Sequence, residues 1–171
     1  KELENASVNF KGLVFTEHKA SLEEKIKVDL GGMGKGFAVD KVSDFFKTKN
    51  VQNAVIAASG DIRCFNTCPI DIQNPYEEGV LLSFRTIKKD TGVTTSGNYN
   101  RYVESTKNNH LINPKSKLSQ EKFISITLIS NLPSSDLDAY ATAASVMTIK
   151  KANEFLNEFN LAYVILKRDW E

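Results

Sequence analysis

The chain has 171 residues, and a chain of this length is expected to fold as one domain that buries roughly 70% of its unfolded surface. Lys and Arg number 22 against 21 Asp and Glu, so no excess of charge draws the protein to nucleic acid or to anionic membranes. No apolar run approaches the roughly 18 residues that cross a bilayer. We therefore expect a globular protein without a nucleic-acid partner.

Two features bear on the cellular compartment. The chain begins with Lys1 and not with Met, which suggests that a signal peptide or a longer amino-terminal region preceded it. Membrane association is expected only through an anchor in such a missing segment. Cys64 and Cys68 are too few for a zinc site, and they predict either a disulfide in an oxidising compartment or two structural thiols in a reducing one.

The first third of the chain predicts two strands and a helix. Alternating or mixed apolar residues favour strands at residues 6–15 and 25–30. A glycine-rich junction at residues 31–36 leads into a helix at residues 35–47. Apolar residues at helical spacing are expected to line its buried face: Ala38, Val42, Phe45 and Phe46.

The remainder predicts an antiparallel meander followed by helices, which together give an α+β fold class: a single domain with a mainly antiparallel sheet packed with about three helices. Apolar residues on both faces of residues 123–130 indicate a buried central strand. Ser135 is the expected N-cap of the helix that follows it. The other predicted strands are 53–65, interrupted by Ser59-Gly60-Asp61, and 69–73, 79–85, 93–96 and 162–166, and the helices are 136–148 and 150–159.

The glycine-rich junction is the first candidate for chemistry. Asp29 precedes it, Lys35 lies within it, and a helix starts there. Backbone amides and the positive end of the helix dipole suit a phosphate group, and Lys35 adds a mobile charge. The spacing is wrong for a Walker loop, because Gly36 stands where Ser or Thr would hold magnesium. A tight turn that requires positive φ remains the alternative.

The Ala-rich helix carries the second candidate. Asp138 and Thr142 are four residues apart and share a helical face among mostly apolar neighbours. A buried carboxylate is costly unless it is paired, and a hard cation such as magnesium prefers carboxylate, hydroxyl and carbonyl oxygens. The alternative is structural: Asp138 favours the helix dipole and Thr142 bonds to a carbonyl one turn earlier.

Two further segments carry polar side chains. A histidine side chain titrates near neutrality and can act as a general base, which makes His110 a candidate, although most lone histidines have no such role. His18 lies in a polar stretch that we expect at the surface. The turn at residues 94–99 is dense in hydrogen-bonding groups, but by itself it indicates only a loop.

Taken together, these segments resemble the motifs of the ApbE family, the FAD:protein FMN transferases, in order and approximate spacing. The family's Asp-Leu-Gly-Gly-Ile-Ala-Lys-Gly-Tyr-Ala-Val-Asp run resembles residues 29–40, and its stretch ending in Gly-Gly-Asp-Ile-Arg resembles residues 53–63. Its Thr-Ser-Gly-Asp-Tyr turn is similar to residues 95–99. Its His-Ile-Ile-Asp-Pro segment resembles residues 110–114, and its Ala-Asp-Ala-Leu-Ala-Thr-Ala helix resembles residues 137–143.

The resemblance covers essentially the whole chain. It implies one ApbE-like flavin transferase domain over residues 1–171, corresponding to the carboxy-terminal portion of the family fold. It also implies a magnesium site formed by the main-chain carbonyl of Gly32 and the side chains of Asp138 and Thr142.

The implied substrate is FAD, which Asp29, Lys35 and His110 would contact, and the implied partner is an acceptor flavoprotein. In the implied reaction, a Thr or Ser hydroxyl of the acceptor attacks the FMN phosphorus of FAD, AMP leaves and a phosphoester forms. Magnesium would neutralise the pyrophosphate, and His110 would take the hydroxyl proton as the catalytic base. Family analogy places such a protein in the bacterial periplasm or cell envelope, with the cytoplasm as the alternative.

The chain also departs from the family pattern. Family members are much longer, and the portion that supplies contacts to the flavin ring has no counterpart before Lys1. The substituted positions are Gly34 for Ala, Ser59 and Lys117 for Gly, and Asn98 and Asn113 for Asp.

Two other functions therefore remain open. Hydrolysis of the FAD pyrophosphate would use the same residues, with water in place of the protein hydroxyl. A shortened, non-catalytic flavin-binding protein is favoured by Asn98, Asn113 and the missing portion. The intact His110, Asp138 and Thr142 oppose that interpretation.

Overall fold

A computed structural model describes residues 10–24, 26–99 and 102–168 of the chain. Within these ranges no helix is both long and apolar enough to cross a bilayer. The described elements are β1 (Leu13–Phe15), β2 (Ala20–Leu22), α1 (Gly34–Thr48), β3 (Val55–Ala58), β4 (Asp61–Cys64), β5 (Pro69–Gln73), β6 (Val80–Arg85), β7 (Thr91–Gly97), β8 (Tyr102–Val103), β9 (Ser105–Asn109), β10 (Phe123–Ser130), α2 (Ser134–Ser145), α3 (Ile149–Glu158) and β11 (Ala162–Lys167).

The centre of the molecule is a five-stranded antiparallel sheet with the strand order β11-β10-β7-β4-β3. The middle strands are buried on both faces, and Phe123, Ile126 and Leu128 of β10 have no exposed surface. This confirms the predicted central strand at residues 123–130 and the α+β class with a mainly antiparallel sheet.

The helices cover one face of this sheet. α2 packs on β7 and β10, α1 packs on β3, β4 and α2, and α3 packs on α2. Leu137, Ala141 and Ala144 of α2 meet Ile126 and Leu128 of β10 in the main core. Because alanines face the sheet at two of these positions, the helix backbone can approach the strands closely.

The opposite face of the sheet is covered by the β5–β6 hairpin. These two strands pair with each other in a separate two-stranded sheet, so the predicted continuous meander is wrong at this point. Ile70 packs with Val93 and with a disulfide between Cys64 and Cys68. The disulfide resolves the alternative that the cysteine spacing left open, and it fixes the start of the hairpin to the end of β4.

The predicted strand at residues 25–30 is wrong. Residues 26–30 have no regular secondary structure, and Lys25 is outside the described residues. Val28 and Leu30 remain exposed, so the apolar alternation that suggested a strand has no packed surface opposite it. The strand predicted at residues 6–15 begins only at Leu13, after a 3-10 turn, and residues 6–9 are also outside the description.

The helix predicted at residues 35–47 is confirmed as α1, but its predicted buried face is wrong. Ala38, Val42 and Phe45 are exposed, and Phe46 is only half-buried. The residues that the helix buries are small or medium-sized: Gly36, Val39 and Ser43. A Cβ at position 36 would overlap the carbonyl oxygen of Ser134 and lie 2.7 Å from the nitrogen of Ser135, so a close helix crossing decided the orientation.

Candidate active site

The site begins where α1 meets the start of α2, and Asp40 holds this junction together. Its carboxylate accepts hydrogen bonds from the backbone N–H groups of Ser134 (2.7 Å) and Ser135 (2.9 Å). Burial opposes ionisation, but these donors outweigh it and lower the pKa of Asp40. The prediction that Ser135 caps its own helix is wrong, because α2 begins at Ser134 and a side chain of another helix supplies the cap.

A buried ion-pair group lies beside this junction, and we call Lys35, Asp61 and Asp138 the Lys35 cluster. The ammonium of Lys35 donates to the two carboxylate oxygens of Asp138 at 3.0 and 3.2 Å. It lies 3.1 Å from Oδ2 of Asp61. The side chains of Asp138 and Asp61 are 1% and 0% exposed, whereas the Lys35 side chain is 37% exposed. Lys35 therefore extends from the surface towards two buried carboxylates.

The two carboxylates of the cluster differ in how they are supported. The backbone N–H of Gly36 also donates to Asp138 at 3.2 Å, which places this carboxylate at the positive end of α1. Neither oxygen of Asp61 accepts a well-directed hydrogen bond from a described residue. Burial raises the pKa of Asp61, and the nearby Thr94 hydroxyl and Lys35 ammonium only partly offset that effect.

Lys35 experiences the reverse balance. Burial by itself disfavours its charged form, but the bonds and charges of Asp138 and Asp61 outweigh burial and raise its pKa. The cluster thus contains one ammonium between two buried carboxylates.

The other two predicted metal ligands lie next to this cluster. Thr142 is one helical turn after Asp138 on α2, and its hydroxyl is 3.3 Å from the hydroxyl of Ser96 on β7. The glycine-rich junction at residues 31–36, which we call the glycine bend, passes directly over it, since a Cβ at Gly32 would lie 3.4 Å from Thr142 Oγ1. The structure therefore brings Gly32 and Thr142 into contact, one helical turn from the buried side chain of Asp138.

This arrangement suits a hard cation. A buried carboxylate, a hydroxyl and a backbone segment converge, and oxygen donors of these kinds are what magnesium prefers. Asp61 adds a second buried carboxylate, so the single ammonium of Lys35 balances two negative charges and leaves one that a cation would neutralise. The described residues contain no group of three or more His, Cys, Asp or Glu arranged for a metal, and the predicted set has only one such side chain.

The predicted base lies on a different element. His110 follows β9 directly and is exposed. Its loop is attached to the end of α2, because the side-chain amide of Asn113 donates to the carbonyl of Val146 at 2.8 Å. Asn113 departs from the family's Asp, and a carboxylate could not make this donation.

Asp29 lies outside the cluster. It is exposed, and its Oδ1 accepts a hydrogen bond from the N–H of Gly31 at 2.7 Å, which shapes the entrance to the glycine bend. Among the other departures, nothing in the structure explains Asn98, whose buried side-chain amide has no hydrogen-bond partner among the described residues. Ser59 and Lys117 replace Gly at positions whose φ values are +45° and +60°, and at Gly34 a Cβ would meet no atom within 4 Å.

Sequence reasoning missed Asp40 and Asp61 as site residues. Asp40 acts on residues 94 and 95 positions away, so local spacing could not reveal it, although it ends the segment 29–40 that resembles a family motif. Asp61 looked like part of the turn that interrupts an apolar strand. The available signal was its membership, with Ile62 and Arg63, in a segment that resembles a family motif.

Comparison with known proteins identifies the family and the fold. The ApbE family model matches residues 1–165. An FAD:protein FMN transferase of Haemophilus influenzae is 30% identical over 167 residues, which cover 90% of this chain and 48% of that protein. The corresponding protein of Buchnera aphidicola is 26% identical over 151 residues, or 84% of this chain and 44% of that protein. The chain thus spans about half the length of these curated relatives.

Solved structures share the fold. An ApbE protein from Thermotoga maritima superposes with a TM-score of 0.85 at 23% identity, covering 97% of this chain and 58% of that one. The flavin transferase ApbE from Vibrio cholerae gives a TM-score of 0.80 at 19% identity, covering 94% of this chain and 54% of that one. With a family model that matches nearly the full length, the chain belongs to the ApbE family.

Proposed function

We propose that this chain carries the catalytic part of a magnesium-dependent transferase, which moves FMN from FAD to a Thr or Ser hydroxyl of an acceptor flavoprotein and releases AMP. The observation that carries the proposal is the buried carboxylate of Asp138, which lies one turn from Thr142 and against the glycine bend. Relatives that match most of this chain carry the name FAD:protein FMN transferase.

The residues divide the work between charge and proton transfer. Asp138, Thr142 and the carbonyl of Gly32 would hold magnesium, which supplies neutralisation of the pyrophosphate charge. Lys35 is half-exposed beside them, so its ammonium can also reach a phosphate oxygen. Asp29 would contact FAD from the entrance of the bend.

His110 would accept the proton of the attacking hydroxyl. The new bond joins that oxygen to the FMN phosphorus, and the bond to the AMP phosphate oxygen breaks, so AMP leaves with the electron pair. The attachment of the His110 loop to the carboxyl end of α2, through Asn113 and Val146, links this residue to the helix that carries Asp138.

One incubation separates this function from the two alternatives. The full chain is mixed with FAD, magnesium and a candidate acceptor protein, and the products are analysed by in-gel flavin fluorescence and by chromatography of AMP. Fluorescent acceptor with AMP identifies a transferase. AMP with free FMN identifies a pyrophosphate hydrolase. FAD binding without either product identifies a non-catalytic flavin-binding protein.

The metal assignment has its own variant. Asp138→Ala should lower either activity by about a hundredfold or more, because it removes the charged ligand. Asp136→Ala is the matched control, since Asp136 lies in the first turn of the same helix and outside the cluster. Turnover that survives in Asp138→Ala, with Asp136→Ala unchanged, would refute the assignment.

We also propose that the protein works in the bacterial periplasm or cell envelope. The supporting observation is the buried Cys64–Cys68 disulfide, a bond that persists mainly in oxidising compartments. Fractionation of the native host, followed by thiol labelling of the denatured protein, tests this. Fully labelled cysteines in a cytoplasmic fraction would contradict it.

A further inference from the structure

The Lys35 cluster raises a question about how a metal can enter. In the structure the ammonium of Lys35 is 3.0 Å from one oxygen of Asp138 and 3.2 Å from the other. Magnesium binds carboxylate oxygens at about 2.0–2.1 Å and requires them to be directed at it. A divalent cation on these oxygens repels the ammonium at such short range and competes with it for the same lone pairs. A metal that binds both oxygens of Asp138 therefore favours release of Lys35.

The structure contains a second binding position for the ammonium. Asp61 is fully buried on β4, and its Oδ2 is already 3.1 Å from Lys35 Nζ. Because neither Asp61 oxygen accepts a well-directed hydrogen bond from a described residue, this carboxylate can accept the ammonium more completely. The transfer requires only a small movement of a long, half-exposed side chain.

From this geometry we propose that Lys35 is an exchangeable resident cation, which occupies Asp138 when no metal is bound and is retained by Asp61 when a divalent cation takes its place. Asp61 is then a positioning residue: it keeps the ammonium beside the metal, where it can meet a phosphate oxygen of the nucleotide. The inference rests on the proposed magnesium site and adds to it the order of events at Asp138.

The exchange predicts an effect opposite to that of a fixed ion pair. Lys35→Met removes the competing ammonium and should tighten metal binding in the absence of nucleotide by about tenfold, the order expected for one charge within ~4–6 Å. Removal of a lysine that only stabilises the fold would leave the affinity unchanged or weaken it, and the metal-bound structure separates exchange from repulsion by a fixed ammonium. Asp61→Asn removes the second position and should weaken metal binding by a similar factor.

The probe is Mn²⁺ alone, titrated into the full chain and followed by calorimetry and by loss of the free-ion electron paramagnetic resonance signal. Lys47→Met is the control for a change in net charge, because Lys47 pairs with Asp90 and not with this cluster. Circular dichroism and thermal unfolding confirm that each variant is folded.

The outcomes separate this inference from the proposed function. Wild type that binds Mn²⁺, Asp138→Asn that does not, and tighter binding only in Lys35→Met support the exchange. If Asp138 is required but Lys35→Met binds no better than wild type, the exchange is wrong and the metal site stands. Absence of Mn²⁺ binding to wild type overturns both.

A structure of the Mn²⁺-bound chain gives the direct test. We expect Lys35 Nζ within hydrogen-bonding distance of Asp61 and no longer in contact with Asp138. An ammonium still on Asp138, with the metal bound elsewhere, would overturn the proposal.

Discussion

Two charged clusters lie under α1, one at each end, and they use similar residues in different ways. Asp61 and Arg63 are two positions apart on β4 and therefore face the same side of the sheet. Asp61 meets Lys35 of the first turn of α1 in the Lys35 cluster. Arg63 meets Asp90, which also pairs with Lys47 of the last turn, and we call Arg63, Asp90 and Lys47 the Arg63 cluster.

The Arg63 cluster is held in one arrangement by several directed hydrogen bonds. The guanidinium donates to Asp90 at 2.8 Å and to the carbonyls of Leu132 and Asn131 at 2.6 and 3.3 Å. Because the guanidinium is planar, its N–H groups donate in fixed directions, and each of these acceptors lies in one of them. Arg63 thus ties β4 to the turn that leads into α2.

The Lys35 cluster has the opposite character. A single ammonium, which has no planar fork, lies between two carboxylates, and one of them is the proposed metal ligand. The comparison teaches that the number of fixed donors, more than the presence of an ion pair, separates a structural cluster from one that can change partners.

The largest effect is expected where the Lys35 cluster depends on the contact between the two helices. Gly36→Ala should cost about 3 kcal/mol or more, because a Cβ there overlaps the backbone of Ser134 and forces α1 away from α2. Urea unfolding measures this. Gly34→Ala is the matched control and should change stability by no more than about 1 kcal/mol, since its Cβ would meet open space. Equal costs at both positions would contradict the close crossing.

The next variant disrupts the Arg63 cluster. Arg63→Met should cost about 2–3 kcal/mol, because it leaves two backbone carbonyls without the guanidinium and Asp90 with Lys47 alone. Its effect on Mn²⁺ affinity should be less than about twofold, since none of its bonds reaches Asp138. Arg63→Lys should not restore stability, because an ammonium cannot make three bonds in these directions. A fully stable Arg63→Lys variant would show that only the charge matters.

Acid titration sharpens the comparison, because the two aspartates respond in opposite directions. Hydrogen bonding by Arg63 outweighs burial and lowers the pKa of Asp90. Ionised Asp90 therefore stabilises the folded state fully above about pH 3.9, the pKa of an unfolded Asp. This stabilisation is lost as the pH falls through the lowered pKa. Burial raises the pKa of Asp61, so the folded state binds the proton of this carboxyl group more tightly than the unfolded state does. The contribution of Asp61 to the free energy of unfolding therefore increases as the pH falls from the raised pKa towards about 3.9.

Measurement of urea midpoints between pH 3 and 7 tests both signs. Asp90→Asn should reduce the loss of stability in acid, by less than about 1 kcal/mol because the Asp90 side chain is 41% exposed and screened by solvent. Asp61→Asn should make the loss steeper, since it removes the opposing contribution. The same slope change in both variants would contradict the comparison.

The smallest effect concerns backbone strain beside each cluster. Ser59 and Asp90 both have left-handed φ values, +45° and +53°. Ser59→Gly should stabilise the protein by roughly 0.5–1 kcal/mol, because glycine adopts this conformation without a steric penalty. Asp90→Gly should destabilise it, since the lost bonds to Arg63 and Lys47 outweigh the relief. Thermal unfolding compares the two variants, and a stabilised Asp90→Gly would show that the Arg63 cluster contributes little to stability.

Much of the fold could be predicted from local pattern. The central strand, the three helices and the final strand were identified because their apolar spacing persists over eight residues or more, or has clear turn residues beside it. The error at residues 25–30 and the wrong face of α1 have one cause. Alternation and helical spacing report which residues could be buried together, whereas burial itself depends on a partner surface that is distant in sequence.

The sequence by itself determined the α+β class, the family and the segments from which the candidate site is built, because the motif residues Lys35, Asp138 and Thr142 can be read directly. Only the tertiary structure decided that Asp61 shares the ammonium of Lys35, that Asp40 caps α2, and that small residues of α1 face inward. Each of these depends on contacts between residues 26 to 103 positions apart, and such contacts produce no periodic pattern of residues in the sequence.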